Sequence, residues 1–344
     1  MTGSDAIYLQ PLDPDELDSW WRAIPGARRF LNAAVEAFNK KCATAVHLPE
    51  NDAEGFIQAL EEKIQRKDIN SLIERFTYAA DGSIGDFVDA LTAEFAPNFQ
   101  RNFTRQPMED LARQKPFHGY SAIIIKLEGI VDWLTDAVTE FNRGTANFGV
   151  ALIFVTTEKN PPPNITRLED YLTPYDVQFF AINFLENARL TAKEKMYTST
   201  LAEKLSGYSP ELVKNLARDK LYSHGLEFVR TLLPGFDERI FLRAVWECQV
   251  QFLLPTLEQI REQLIVKNER QLRCILPQKD EFDTIIDSPF DMELRHLHYY
   301  GGKYKVFQLD EWELLEFAYG ARNDLSHLKT LDVSQLTRLF AFSE

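Results

Sequence analysis

Over the first half of the chain, apolar runs typical of buried strands alternate with amphipathic helix patterns, and this alternation limits the possible folds most. The strand-like runs lie at 43–48, 121–127, 149–156 and 176–182. Apolar residues at helical spacing predict helices over 27–38, 53–66 and 130–141. Strands that are separated by helices pair in parallel, because a parallel connection needs a crossover. We therefore expect an α/β fold whose mainly parallel sheet is covered by helices on both faces.

The second half of the chain has helical patterns and no further convincing strand pattern. Helices are predicted at 191–205, 209–222 and 237–267, and another begins near Leu309. Pro255 lies inside the third of these and is expected to kink or break it, and 278–291 is predicted to be a loop. The predicted organisation is an α/β domain at 1–187, a helical linker at 188–235 and an all-α domain, a helical bundle, at 236–344.

Length and composition limit the location and the partners of the chain. Its 344 residues predict more than one domain. The formal net charge of −14 repels nucleic acid on average, so contact with nucleic acid requires a local basic site or a partner. The three cysteines are far apart, no signal peptide is recognisable, and no apolar run reaches the roughly 18 residues of a membrane span. We expect a cytoplasmic protein with no membrane contact.

A parallel α/β sheet raises the question of nucleotide binding. A phosphate-binding loop after the first strand needs glycine, so that backbone N–H groups face the phosphates, together with Lys and Ser or Thr. The first strand instead runs into His47-Leu48-Pro49-Glu50-Asn51, which has no glycine or lysine and places a carboxylate where phosphate would lie. Glu128 and Thr156 or Thr157, at the ends of later strands, are interpreted as strand-end caps. We predict no productive ATP binding, no cofactor and no metal site.

Over roughly residues 15–230 this arrangement resembles the inactive branch of the STAND-type P-loop ATPases. The resemblance rests on strand order and on the lead-in Trp20-Trp21-Arg22-Ala23-Ile24-Pro25-Gly26 before the first helix. It implies a P-loop-like fold that lacks a functional phosphate loop and has been retained as a docking scaffold.

Polar residues that suit RNA chemistry lie on the helix that begins near Leu309. Its apolar stripe is predicted to be Leu314, Phe317, Ala321, Leu325 and Leu328, and a second short helix follows. Asn323 and His327 are four residues apart and share a face, whereas Arg322 lies about 140° from His327 on an ideal helix. We expect all three polar side chains to face solvent or a dimer interface, with Arg322 and His327 flanking one groove.

The segment Arg322-Asn323-Asp324-Leu325-Ser326-His327 is similar to the R-x4–6-H motif of the HEPN superfamily, the helical nucleotide-binding domains of prokaryotes and higher eukaryotes. Its place in the penultimate helix also matches, and the resemblance covers 236–344. Many HEPN proteins are metal-independent ribonucleases that dimerise to bring two motifs together, and others are non-catalytic binding modules. The resemblance therefore implies Arg322, Asn323 and His327 as catalytic residues, RNA as the substrate and a homodimer formed through the carboxy-terminal helices.

These residue types suit metal-free RNA cleavage, in which the ribose 2′-OH is the nucleophile. A histidine transfers protons near neutral pH. A guanidinium binds the phosphoryl oxygens as charge develops, and Asn323 orients the imidazole or the phosphate. The alternative is structural: Arg322 pairs with a neighbouring acid such as Asp324 or Glu316, and His327 caps or packs at a helix end.

Spacing alone does not single out this motif. Arg113 to His118 and Arg218 to His224 have comparable spacing, but Pro116 interrupts the first, and neither lies on a strongly apolar helix followed by a short one. A basic and aromatic patch at Arg295, His296 and His298 is interpreted as a solvated helix end.

Three functional hypotheses follow. In the leading one, the chain is a prokaryotic conflict or anti-phage defence protein, whose inactive STAND-like scaffold regulates a HEPN ribonuclease in concert with protein partners. In the second, both halves form a non-enzymatic adaptor that binds proteins or nucleic acid. In the third, the chain is a regulatory nucleotide-binding protein with an unusual phosphate loop. The electrostatic character of the groove beside the motif distinguishes the first two, because RNA requires a basic groove.

Overall fold

A computed structural model of the chain describes residues 9–49, 52–79, 82–100, 105–129, 131–144, 149–280 and 282–342. Within these ranges the chain forms two compact units. The α/β unit contains 9–184 and Ser206–Ala217, and the helical unit contains Leu185–Leu205 and 218–342. The domain limits predicted at 187 and 235 stay a prediction.

The α/β unit contains a five-stranded sheet with strand order β2-β3-β4-β1-β5, in which every pair of neighbours is parallel. Its elements in chain order are α1 (Pro14–Asp18), a π-helical turn (Ser19–Ala23), α2 (Pro25–Lys40), β1 (Ala43–His47), α3 (Ala53–Lys67), β2 (Ile73–Ala79), α4 (Ile84–Phe95), α5 (Pro107–Gln114), β3 (Ala122–Glu128), α6 (Leu134–Gly144), β4 (Ala151–Thr156), β5 (Thr166–Arg167), a 3-10 turn (Leu168–Asp170) and α7 (Pro174–Phe184). After α8 of the helical unit, α9 (Pro210–Leu216) also belongs to the α/β unit.

Helices cover both faces of the sheet, as the apolar strand runs predict. On one face Ile125 and Phe154 pack with residues of α4, α5 and α6, such as Phe87 and Phe141. The alternate strand residues, which point to the other face, are buried too, and α2 contacts β1 and β4 there. The expected α/β layout with a mainly parallel sheet is therefore confirmed.

The strand predicted at 176–182 is wrong, because this segment is part of α7. Asp176 Oδ2 accepts hydrogen bonds from the backbone N–H and the hydroxyl of Thr173, both at 2.9 Å. The Asp176 N–H in turn donates to Thr173 Oγ1 at 3.3 Å. This capping pair, with Pro174 at the first helical position, starts a helix. A short apolar run suits a buried strand or a helix equally well, and the cap decides between them here.

The edge strands β2 and β5 were not predicted. β2 alternates partly buried and exposed residues, and β5 has two residues. An edge strand with polar residues lacks the continuous apolar run by which the central strands β1, β3 and β4 are recognised.

The helical unit is assembled around one long helix. Its elements are α8 (Ala192–Ser206), α10 (Asp219–Leu232), α11 (Glu238–Lys267), α12 (Glu269–Ile275), β6 (Gln278–Lys279), β7 (Ile285–Ile286), a 3-10 turn (Pro289–Asp291), α13 (Leu294–Tyr304), α14 (Leu309–Ser326) and α15 (Val333–Phe342). α11 contacts both α14 and α15, and α13 packs on α14. The predicted helical carboxy-terminal layout is thus present.

Three details of the helical prediction differ in the structure. α11 continues through Pro255, so the proline does not break the helix. The segment predicted as one helix at 209–222 is divided between α9 and α10. The loop predicted at 278–291 contains the antiparallel pair β6–β7, although no strand was predicted in this half.

Candidate functional site

α14 is held in place by its buried face and by contacts at both ends. A capping box between Gln308 and Glu311 starts the helix, with a hydrogen bond of 2.9 Å from the Gln308 N–H to Glu311 Oε2. Near its end, Trp246 Nε1 of α11 donates to the Leu325 carbonyl at 2.8 Å. This bond satisfies one of the terminal carbonyls that a helix leaves without an intrahelical partner.

The buried face of α14 is displaced from the predicted stripe. Ala321 and Leu325 are buried as predicted, and Leu325 is 1% exposed. The residues that complete this face are Leu315 and Ala318, while the predicted Leu314 and Phe317 are half-buried.

Leu328 is a clear error of the prediction, because its side chain is 71% exposed. The helix ends at Ser326, and Leu328 has a left-handed backbone with φ of 59°. The helical repeat that would place Leu328 beside Leu325 therefore no longer applies.

The three motif residues lie at the solvent side of this anchored helix end. Arg322 and His327 are exposed and Asn323 is half-buried. Within the described ranges, none of these three side chains makes a hydrogen bond or an ion pair. The expected solvent access is confirmed for Arg322 and His327.

The structural alternative for the motif is met in part. His327 is the C-cap residue of α14, whereas Arg322 has no acidic partner among the described residues. Asp324 forms an ion pair with Lys329, at 3.4 Å, rather than with Arg322. The His327 backbone N–H donates to the carbonyls of Asn323 and Asp324, both at 3.1 Å, but its ring is not held by another side chain of the described residues.

Arg322 lines a groove of about 590 Å³ beside the middle of α11. Three carboxylates, of Glu258, Asp291 and Glu293, also line it, together with Arg261. Arg261 donates to the carbonyls of Phe290 and Met292 at 3.1 and 2.9 Å and pairs with Glu258, and that hydrogen bond raises the pKa of its guanidinium. The groove is therefore acidic, and His327 is not among the residues that line it.

The structure thus brings Arg322 and His327 onto one helix end. His327 does not line the groove beside α11, and the expectation that Arg322 and His327 flank one groove stays a prediction. If a single phosphodiester is to meet both residue types, a second motif must supply the missing partner.

The other histidines that the sequence singles out have structural contacts. The Glu293 N–H donates to His296 Nδ1 at 3.1 Å, which caps α13. The ring of His298 stacks between Trp312 and Tyr319, at centroid distances of 5.0 and 4.5 Å. His224 is hydrogen-bonded to the Ser223 hydroxyl at 2.7 Å.

The remaining arginines of the alternative motifs are placed differently from Arg322. Arg113 pairs with Glu109 on α5, whereas His118 follows that helix. Arg218 precedes α10 at its N-cap position, so neither alternative lies on one uninterrupted helix.

At the carboxyl edge of the sheet, the residues after β1 contain a group that the sequence did not reveal. Glu50 and Asn51 of the predicted phosphate-loop position lie outside the described residues. Asp52 is 6% exposed and begins α3 as its N-cap residue. Its Oδ1 accepts from the Ser209 hydroxyl at 3.2 Å, whereas its Oδ2 is buried with no hydrogen-bond partner. In a sequence, an Asp that precedes a helix predicts an ordinary exposed N-cap residue. Asp52 differs from such a residue only because other segments of the unit bury it.

Two further polar side chains at this edge of the sheet contact only nearby residues of their own segment. Thr156 Oγ1 accepts from the Glu158 N–H at 3.4 Å, in agreement with its interpretation as a strand-end cap. Glu128 is exposed and lies 4.0 Å from Lys126 Nζ.

Within the described ranges, no cluster of three or more His, Cys, Asp or Glu side chains is arranged to hold a metal ion. In the same part of the chain, no helix is both long enough and apolar enough to cross a membrane.

Comparison of the chain with the models of known families gave no match, and comparison with curated proteins gave none. The resemblances to the HEPN and STAND groups therefore rest on the residues of this chain alone.

Proposed function

We propose that the helical unit is a HEPN-type endoribonuclease that acts without a metal ion, with Arg322, Asn323 and His327 as its catalytic residues. One observation carries the proposal: a rigidly anchored helix end presents a guanidinium, an amide and an imidazole that have no internal partner among the described residues. Exposed groups without a protein partner are accessible to a substrate, as the catalytic groups of such a site must be.

The proposed reaction is a transesterification within the RNA. His327 of one chain removes the proton from the ribose 2′-OH, and the oxygen attacks the adjacent phosphorus. A P–O bond forms, the P–O5′ bond breaks, and the leaving oxygen takes a proton from a protonated His327 of a second chain. Arg322 stabilises the negative charge of the phosphoryl oxygens, and Asn323 orients the phosphate. The products are a 2′,3′-cyclic phosphate and a 5′-hydroxyl.

This chemistry requires a homodimer formed through the carboxy-terminal helices. Arg322 and His327 diverge by about 140° around one helix, and the groove beside α11 receives Arg322 without His327. Two-fold pairing of two α14 ends would supply two histidines and two arginines to one phosphodiester.

The α/β unit is proposed to be an inactive STAND-like scaffold that regulates this activity, with partners from a prokaryotic defence system. The parallel sheet and the lack of glycine and lysine in 47–51 support a scaffold rather than an ATPase. The defence role rests on the resemblance alone.

A second candidate function, a non-enzymatic adaptor, is favoured by the groove beside Arg322. Its three carboxylates, of Glu258, Asp291 and Glu293, repel RNA and would accept a basic segment of a protein. The adaptor hypothesis requires no chemistry from His327, so the two candidates make opposite predictions for one variant.

The test compares wild-type protein with His327→Ala in cells and on total RNA in the presence of EDTA. His224→Ala is the matched control, because it removes another exposed histidine of the same unit. We expect wild type and His224→Ala to cleave RNA and reduce growth, and His327→Ala to lose at least a hundredfold of the cleavage rate. Equal cleavage by His327→Ala, or no cleavage by the wild type, contradicts the ribonuclease and favours the adaptor.

A further inference from the structure

We propose that the α/β unit binds a primary alkylammonium group in a cavity beyond the carboxyl end of β1, with Asp52 as the hydrogen-bond acceptor. The cavity measures about 200 Å³ and is lined by residues of the amino-terminal segment, of α3 and of α9, all of which belong to this unit. The proposal is independent of the ribonuclease proposal, which concerns the other unit.

The position of the cavity is that of a ligand site. In open α/β folds, ligands bind outside the carboxyl ends of the parallel strands. β1 lies inside this sheet between β4 and β5, and five residues (48–52) separate its end at His47 from the start of α3 at Ala53. The same place in a P-loop protein receives phosphate, which here would meet the carboxyl group of Asp52.

The hydrogen bonding of Asp52 is the observation that points most directly to a ligand site. Its Oδ1 has a partner in Ser209, but Oδ2 is buried without one. Leaving a buried oxygen without a hydrogen bond costs about 1–3 kcal/mol, so buried polar atoms of folded proteins are nearly always satisfied. Asp52 lines the cavity, so the proposal is that a donor bound there displaces the atoms that cover Oδ2 and satisfies this oxygen.

The charge of the cavity selects a cationic donor. Among the described residues that line it, Asp52, Glu54 and Glu211 carry carboxyl groups and none is cationic. Glu54 is partly compensated by ion pairs with Arg75 and Lys126, at 3.4 and 3.0 Å. Asp52 and Glu211 therefore provide most of the attraction for a cation.

Burial raises the pKa of the Asp52 carboxyl well above its usual range. The hydrogen bond from Ser209 opposes this effect, and the nearby Glu211 carboxylate adds to it. An arriving ammonium group would reverse the effect, because a neighbouring positive charge favours the ionised carboxylate. Binding at a pH where Asp52 is still protonated should therefore release a proton from this carboxyl.

The apolar residues that line the cavity favour a ligand with a non-polar chain next to its charged group. Leu12, Leu17 and Trp21 also line the cavity. An alkyl chain fits such a wall, whereas a small hydrated cation gains nothing from it. The group recognised is therefore an ammonium at the end of an aliphatic chain, which a free amine or a lysine side chain of a protein would supply.

The test is calorimetric titration of the full chain with n-pentylammonium and with Nα-acetyl-lysine N-methylamide. Pentan-1-ol and pentanoate are the uncharged and anionic controls. We expect both ammonium ligands to bind the wild type at millimolar concentrations and the controls to bind at least tenfold more weakly. The tighter of the two ligands identifies the source, a free amine or a lysine side chain. Titrations in two buffers of different ionisation enthalpy should show a release of protons on binding.

Asp52→Asn keeps the shape and a hydrogen-bond acceptor but removes the titrating charge. We expect it to weaken binding at least tenfold and to abolish the proton release. Glu54→Gln is the matched control and should change the affinity less than threefold, since its charge already has partners. Leu12→Trp, which fills the cavity without touching Asp52, should also prevent binding.

Three results would overturn the proposal: no binding of either ammonium ligand to the wild type, equal binding of pentan-1-ol, or unchanged affinity of Asp52→Asn. Thermal melts of each variant check that it is folded. None of these outcomes depends on RNA cleavage, so the failure of one proposal is distinguishable from the failure of the other.

Discussion

Among the aspartates of this chain, Asp52 and Asp324 have opposite surroundings. Asp52 is buried at the start of α3 beside one hydroxyl, and its pKa is raised mainly by burial. Asp324, near the end of α14, is half-buried and pairs with Lys329. The first carboxyl is kept where its charge is unfavourable, which costs stability and suits a ligand site. The second follows the common pattern of a charge that is paired near solvent.

Asp52→Asn should stabilise the protein at neutral and alkaline pH. A folded-state pKa above the unfolded value of about 3.9 means that the stability due to this group is fully present below that value. It is lost as pH rises through the folded-state pKa, because the buried carboxyl must then ionise. Asparagine does not ionise, so its advantage over the wild type should grow with pH.

Thermal melts at pH 4 and pH 8 check this expectation. The melting temperature of Asp52→Asn should exceed that of the wild type at pH 8 and approach it at pH 4. Asp13→Asn, at the exposed N-cap of α1, is the control whose difference from the wild type should not follow this pattern. An Asp52→Asn variant that is less stable at pH 8 contradicts the prediction.

At the level of elements, α14 is fixed by its neighbours rather than by strong amphipathicity of its own. One face buries Leu315, Ala318, Ala321 and Leu325 among α11 and α13, and α11 donates a hydrogen bond to its last turn. The connection after α14 is held too: Gln249 of α11 donates to the Leu331 carbonyl at 2.9 Å and accepts from the Leu331 N–H at 2.7 Å. These contacts fix the end of α14 and therefore the positions of Arg322 and His327.

Leu325→Ala and Leu328→Ala form a matched pair that tests the end of α14. Leu325 is buried, so its truncation should cost about 2–5 kcal/mol through lost burial and a residual cavity. Leu328 is exposed, so its truncation should stay within about 0.5 kcal/mol. Urea denaturation measures both free energies of unfolding. Similar values for the two variants would contradict the observed helix end.

Gln249→Ala should destabilise the helical unit by about 1–3 kcal/mol, because it leaves the buried N–H and carbonyl of Leu331 without their partner. Gln251→Ala is the control on the same helix, since Gln251 is exposed and should change stability by less than about 0.5 kcal/mol. Urea denaturation measures the free energy of unfolding of both variants and so distinguishes their effects. A Gln249→Ala variant as stable as the control would mean that these bonds contribute nothing.

On the scale of the whole molecule, the net charge of −14 sets the conditions for RNA. Such a charge disfavours the approach of a polyanion, so specific cleavage must rely on a small number of local cations such as Arg322. In the proposed dimer, two motifs would place two arginines near one phosphate instead of one. The dimer would then strengthen the electrostatic attraction for RNA as well as supply both proton-transfer groups.

The absence of a phosphate loop in the sequence makes a prediction for nucleotides. Mg-ATP at millimolar concentration should not raise the melting temperature, because 47–51 supplies no glycine or lysine. A thermal-shift titration measures this, with n-pentylammonium as the positive comparison from the cavity proposal. A rise with ATP that saturates at micromolar concentration would favour the regulatory nucleotide-binding hypothesis instead.

The sequence by itself determined the elements whose patterns are strong. The central strands β3 and β4 are nearly continuous apolar runs, and β1 is a short and mostly apolar one. The helices α2, α3 and α11 have helical spacing or great length, so the existence of all these elements follows from local pattern. Solvent access of Arg322 and His327 also follows from the sequence, because both polar residues lie outside the apolar stripe. The roles of these residues in catalysis stay a prediction.

The tertiary structure alone decided the features that depend on distant segments. The edge strand β2 is defined by its pairing with β3. The helix at 176–182, in contrast, begins at a local cap between Thr173 and Asp176, a signal that the sequence contains and the strand prediction overlooks. The sequence predicts an exposed helix cap at Asp52, whereas in the structure Asp52 is buried and bonded to Ser209. Periodicity reports which face of an element is apolar, but burial and hydrogen-bond partners come from residues far along the chain, and no local pattern contains them.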